Sequence, residues 1–299
     1  MNYKTITLKR ILLLVTTLLL SSNLHAQDDL LDMLEDDDDE VHYTFATFKS
    51  ARVVNAHTVD FEQKGELQFL IQHRFTELSV GPTRFWGLDR ASLRLGFEYG
   101  ITNRWAVGLG RSRDLSTYDF TNKVKLLRQS TGGKNMPISA VLVNTLSFRQ
   151  ADLLTDAKLE NKHRFTYIHQ LLVARKFGKR TSLQLMPTYY YRNLVEIGEG
   201  TQNKFFAMGF AGRLKVSKRT TIVAEYFAIS EKDLLKTREN PYAIGVEIET
   251  GGHVFQLHFT NTTTMAEGQY FTKTLDQEWR FGFNVSRVFQ LKKHKDGQE

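Results

Sequence analysis

His258, Asn261 and the run Thr262 to Thr264 fall within seven consecutive residues, and a histidine near an amide and a hydroxyl is the smallest set that supports hydrolysis. His169 beside Gln170 offers a poorer version. Neither set comes with the Gly-x-Ser-x-Gly turn that exposes a nucleophile or the two-histidine helix motif that holds zinc. His253 and His258 are the closest pair among the nine histidines, but five residues apart on a strand they point to opposite faces and do not chelate one ion. With no cysteine there is neither a thiol nucleophile nor a Cys-x-x-Cys-His haem site. Gly132-Gly133-Lys134 lacks the rest of a phosphate loop and reads as a turn. The residues therefore assign no catalytic group, no metal site and no cofactor, and an enzyme is not expected.

A second set of polar residues recurs at every other position between apolar ones. It comprises Glu66, Arg74, Arg94, Glu98, Lys123, Lys125, Arg192, Arg213, Lys215, Glu225, Glu247 and Arg280, accompanied by Gln68, Gln72 and Glu249. Such residues line a surface. Two readings stay open: opposite charges that fill and stiffen a closed barrel, or a hydrated passage for small polar solutes with a slight preference for anions.

Period-two alternation identifies the elements that must carry them. Leu93, Leu95, Phe97 and Tyr99 oppose Arg94, Gly96, Glu98 and Gly100. Trp105, Val107 and Leu109 oppose Ala106, Gly108 and Gly110. Tyr242, Ile244, Val246 and Ile248 oppose Ala243, Gly245, Glu247 and Glu249, and Gly251-Gly252 suits a tight hairpin. Trp279, Phe281, Phe283 and Val285 form the last apolar face. About twelve such strands run from Lys64 to Phe289. Very short links near residues 100–103, 177–180, 216–219 and 250–253 alternate with links of about a dozen residues, the asymmetry of short periplasmic turns and long outer loops. Two links fit less well, Gln129 to Met136 being long for an inner turn and Arg111 to Thr117 short for an outer loop. The fold class expected is all-β, a transmembrane antiparallel β-barrel; a soluble β-sandwich is the alternative and does not require alternating loop lengths.

Lys4, Lys9 and Arg10 precede an apolar run, Ile11 to Leu20, too short to span a bilayer as a helix. Residues 1–26 thus read as an export signal, cut after Ala26. Residues 27–60 form an acidic leader and periplasmic lead-in, 61–290 the barrel and 291–299 a basic tail. Nine acids stand between Asp28 and Glu40. They read as a solvated leader, the alternatives being a loose divalent-cation site or a self-docking peptide that closes the barrel. Thr44 to Asp60, with Phe48, Val53, Val54 and Val59 as anchors, reads as a lead-in or an extra strand. The formal charge is +7; without the three signal cations and the nine leader acids, the chain from Val41 onward carries about +13. A basic barrel suits anionic surroundings. Its expected partners are outer-membrane lipid and lipopolysaccharide, the barrel-assembly machinery, and a small solute or periplasmic protein, with no nucleic acid. A mean hydropathy of −0.35 does not oppose this, because only alternate residues must be apolar.

The chain resembles the Bacteroidota outer-membrane barrel family known as domain of unknown function 5777. The likeness rests on QDDLLDML, ATFKSARVVNAHTVD, HRF from His73, FWGLDRASLRLGFEYGITNR from Phe85, VGLGRS from Val107 and KLLRQSTGGKNMPIS from Lys125. It continues with HQLLVARKF from His169, SLQLMPT from Ser182, RNLV from Arg192, ETGGHVFQLHFTN from Glu249 and FGFNVSRVF from Phe281. Trp86 replaces a phenylalanine of similar sequences, an aromatic exchange. The resemblance implies a barrel in the cell outer membrane and carries no catalytic residue over. The function expected is a pore or transporter for small polar solutes; the alternative is a non-conducting structural or docking barrel that recruits a periplasmic partner.

Overall fold

The computed structural model describes residues 40–152, 158–196, 202–230 and 238–291; the expected export signal, the acidic run as far as Asp39 and the expected basic tail after Leu291 lie outside the described residues. Its strands are β1 (Val41–Tyr43), β2 (Glu66–Glu77), β3 (Ala91–Thr102), β4 (Trp105–Ser112), β5 (Thr117–Leu127), β6 (Ser130–Gly132) and β7 (Ser139–Arg149). There follow β8 (Phe165–Phe177), β9 (Thr181–Arg192), β10 (Lys204–Lys215), β11 (Thr220–Ile229), β12 (Tyr242–Thr250), β13 (His253–Thr260) and β14 (Arg280–Gln290). All but β1 and β6 close into a twelve-stranded antiparallel ring, sealed where β14 pairs with β2. No helix among the described residues is long and apolar enough to cross a membrane. A ring answers the same need with strands, since every backbone group within hydrocarbon must find its partner in the protein.

Alternation along each strand sorts the side chains. Phe97, Leu109, Phe120, Ile244 and Leu257 are exposed on the outer surface, while Arg94, Gly110, Asp119, Ala243 and His258 face in. Gly251 and Gly252 both have positive φ, 49° and 99°, which lets β12 turn directly into β13. The overlong inner link after β5 has a use: it carries β6, which pairs with β1 at the inner mouth, and the Arg128 guanidinium lies 4.3 Å from the Tyr43 ring and 4.8 Å from the Phe45 ring.

Residues 44–60 form neither a periplasmic lead-in nor an extra strand. They turn up into the ring, and Val53, Val54, Ala56, His57 and Thr58 are fully buried there. The insert folds back on itself as a hairpin, with Val53 N–H donating to Ala56 O at 2.8 Å and Thr58 N–H to Ala51 O at 3.1 Å. From the opposite mouth the β13–β14 connection descends, burying Met265, Tyr270 and Phe271 around the short helix α1 (Glu267–Tyr270). Residues so apolar enter because the inner wall from β7 to β11 is itself apolar: Val143, Ile168, Leu172, Met186, Tyr190 and Phe227 form one cluster with Phe48, Val53, Val54 and Phe271. Each large side chain so buried contributes about 1.5–3 kcal/mol. The interior thus has two unequal halves, a more apolar one on β7–β11, interrupted by Arg192, Arg213 and Glu225, and a more charged one on β2–β5 and β12–β14.

Gly110 shows how tightly the charged half is built. A Cβ there would collide with the Arg94 guanidinium and the Asp119 carboxylate that are ion-paired above it. Gly110→Val is expected to separate that buried pair and destabilise the barrel by roughly 3–5 kcal/mol. The check is the temperature at which the purified protein changes mobility in SDS gels; an unchanged transition would contradict it.

Candidate functional site

The inward positions of the ring supply the site. Arg74, Arg94, Lys123, Arg192, Arg213, Glu225, Glu247 and Arg280 are buried, whereas Glu66, Glu98, Lys125 and Lys215 occupy inward positions close to the inner rim and are half-buried. Most of these charges are bound to named partners. Arg94 holds Asp119 and donates to Gln72 Oε1 at 2.8 Å. Lys123 Nζ donates to Glu98 Oε1 at 2.7 Å, and Lys125 Nζ lies 4.3 Å from the centre of the Phe61 ring. At the outer mouth Arg280 grips Asp276 with two hydrogen bonds, 2.7 and 2.8 Å, which hold that carboxyl below its usual range. Nearby, burial raises the Glu196 carboxyl, but Lys273 and Arg149 together bring it below its usual range.

The remaining wall residues hold the inserted hairpin. Glu225 accepts hydrogen bonds from the backbone N–H groups of Val54, Asn55 and Ala56 at 2.9–3.1 Å and from Asn55 Nδ2 at 2.8 Å. Successive N–H groups converging on one carboxylate make an anion nest, here built into the insert and filled by the wall. Gln184 pinches the chain from the other side, accepting from Val59 N at 3.0 Å and donating to His57 O at 2.7 Å. Arg213 donates to Ala46 O and Thr47 O at 2.7 and 3.1 Å. Asn284 and Gln72 donate to Val54 O, and Gln256 donates to Val53 O.

Insert and outer loop meet in the middle. Glu267 lies 3.2 Å from His57 Nε2, 3.6 Å from Arg52 Nη1 and 2.6 Å from the Thr145 hydroxyl. Arg74 bridges the same two segments, reaching Thr262 Oγ1 at 2.6 Å and Asn55 Oδ1 at 3.0 Å. What space is left beside Arg52 and Arg94 amounts to about 20 Å³, room for a water molecule.

The hydrolytic candidates are not brought together. His258 faces inward, but its ring nitrogens have no hydrogen-bond partner among the described residues. The Asn261 side chain is engaged with Tyr242 N and Asn240 O, and the Thr262 hydroxyl accepts from Arg74. His169 is exposed on the outer surface and bonds Asn144. Sequence reasoning missed Gln184, Gln256, Asn284 and Glu267 as binding groups. The first three do sit at inward positions of alternating strands, but nothing local announces their partners, 125 to 230 residues away in the chain.

No curated protein matches the chain. Among solved structures it is similar to the KdgM porin, at 9% identity over 75% of this chain and 99% of that one with a TM-score of 0.47. The NanC porin is similar at 8% identity, 76% and 100% coverage and a TM-score of 0.48. An outer membrane channel from Pseudomonas putida F1 is similar at 12% identity, 77% and 97% coverage and a TM-score of 0.45. The model of one protein family matches residues 48–289, inserted hairpin and closing strand included, and the chain therefore belongs to the membrane bound beta barrel domain family, DUF5777.

Proposed function

We propose that the protein is an outer-membrane barrel that passes small polar solutes, anions in preference, when its N-terminal hairpin leaves the lumen, and that it is closed while the hairpin is seated. The observation that carries this reading is the nature of the closure. The obstruction is a separate stretch of chain, bound to the wall by side-chain hydrogen bonds and joined to β2 through the exposed residues Gln63 and Lys64. A barrel stiffened for good would be expected to fill its lumen with side chains of its own strands. Once the hairpin is out, the inward cations Arg74, Arg94, Lys123, Lys125, Lys176, Arg192, Arg213, Lys215 and Arg280 outnumber the acids Glu66, Glu98, Asp119, Glu225, Glu247 and Glu249, which gives the anionic bias. The non-conducting docking barrel is the second reading, favoured by the small residual space in the seated state.

Planar-bilayer recording separates the two. The wild-type chain should show rare openings with anion preference, and Arg94→Glu or Arg213→Glu should shift that preference toward cations. A Lys49→Cys, Glu249→Cys chain bridged by a short bis-maleimide, at a pair whose native side chains meet at 2.5 Å, should fall silent. If the unbridged protein is silent at every voltage while a chain deleted of residues 44–62 conducts, the docking reading replaces this one.

A further inference from the structure

We propose that the lumen wall is a peptide-binding site that reads main-chain amides, that the hairpin is its resident ligand, and that a separate peptide with small residues around one asparagine, flanked by an arginine and a histidine, takes the same place. The inference does not require the barrel to conduct. Its basis is which groups the wall addresses. Between Phe45 and Glu62 the insert makes no main-chain hydrogen bond to a barrel strand among the described residues, so it is not a thirteenth strand. Instead, wall side chains from seven different strands meet its backbone: Glu225 takes three successive N–H groups, Gln184 one N–H and one carbonyl, and Gln72, Lys176, Arg213, Gln256 and Asn284 further carbonyls. Glutamine and asparagine carry both a donor and an acceptor and so suit a peptide unit, whereas a surface evolved only to exclude water needs no such complement.

Side chains of the insert contribute differently. Ala51, Val53, Val54, Ala56 and Val59 are small and lie in an apolar interior that any similar residues would fit. The polar side chains are the exceptions: the Asn55 amide donates to Glu225 at 2.8 Å and accepts from Arg74 at 3.0 Å, Arg52 and His57 meet Glu267, and Lys49 meets Glu249. Backbone contacts supply affinity with little regard to sequence, and a few side-chain contacts, those of Asn55 at the centre, fix the register, the division of labour found where folded domains capture peptides. The wall also has capacity to spare: Glu247 Oε2, Gln170 Oε1 and Ser182 Oγ have no hydrogen-bond partner among the described residues.

The experiment uses the full chain in detergent, with a specific protease site inserted at the exposed Gln63–Lys64 link. After cleavage the freed segment should stay with the barrel through gel filtration, then exchange for an excess of a fluorescent synthetic peptide of residues 44–63. The labelled peptide should reach one per barrel. An Asn55→Ala peptide should bind about tenfold or more weakly, since a charge-assisted hydrogen bond at each end of the amide is lost, and a scrambled peptide should bind no better than that. Retention of the barrel's heat-modifiable mobility in SDS shows that the ring survives the cut. Loss of the ring on cleavage, immediate loss of the segment, or equal binding of the native and scrambled peptides would each overturn the proposal, and none of these readouts depends on current.

Discussion

Glu225→Ala is expected to free the hairpin from the lumen while leaving the ring closed. The carboxylate is the one acceptor for the N–H groups of Val54, Asn55 and Ala56, and all three residues are buried. Stranding a buried donor costs about 1–3 kcal/mol. Allowing for relaxation, the seated state should lose roughly 3–4 kcal/mol, which raises the population of the withdrawn hairpin by about two to three orders of magnitude. The barrel strands keep every ladder bond, so SDS mobility should not change. Because the chain has no cysteine, an Ala56→Cys reporter gives a single thiol at a fully buried site. Its maleimide labelling should accelerate about a hundredfold in the Glu225→Ala background. An unchanged labelling rate would show that the nest does not hold the hairpin. Glu225→Gln should fall between the two, because the amide keeps one acceptor oxygen and presents a donor to the remaining N–H groups.

Glu267→Ala should act at a distance. Glu267 belongs to the outer loop, yet its partners Arg52 and His57 belong to the hairpin that enters from the inner mouth, 210 residues away from it in the case of His57. Removing one member of a buried ion pair leaves an uncompensated charge and costs about 3–5 kcal/mol. Both segments share that loss. The same Ala56→Cys thiol should therefore label faster, and the outer loop should become sensitive to protease added from outside. Coupling of this kind is reciprocal, so Glu225→Ala should also loosen the loop. In a double-mutant cycle, Glu267→Ala with Arg52→Ala should be less damaging than the sum of the single changes by more than about 0.5 kcal/mol. Strict additivity, or a loosened loop over an unmoved hairpin, would mean that the two insertions close the barrel independently.

The ring was legible in sequence where one face of a strand differs from the other. In β3, β4, β12 and β14 polar or small residues alternate with large apolar ones, and of the inward positions read from that pattern Arg94, Glu247 and Arg280 are buried while Glu98 and Glu249 are half-buried. The apolar half of the lumen left no such mark. Val141, Leu142 and Val143 in β7, and Leu171, Leu172 and Val173 in β8, are apolar on both faces, one meeting the outer surface and the other the inserted segments. Alternation detects a contrast between faces and says nothing where both are greasy. The hairpin was visible only as scattered anchors, Phe48, Val53, Val54 and Val59, because a short apolar stretch does not state what it will pack against. The β13–β14 connection, rich in threonine, reads as an ordinary outer loop, and its descent depends on Tyr190, Phe205 and Phe227 being there to receive Phe271.

The seal between β14 and β2 also sets a timetable. Those strands are the last and first of the ring, so the enclosure has no inside until nearly the whole sequence has been placed. Contacts such as His57 with Glu267 and Val54 with Asn284 span 210 and 230 residues, and contacts of that separation form late and slowly. Until then the hairpin's valines and the loop's aromatics have no dry surface to rest on, and an assembling chain left waiting with its final strand unpaired would present them all to solvent at once. Maturation should accordingly show one cooperative late step, at which seam pairing and protection of the hairpin arrive together.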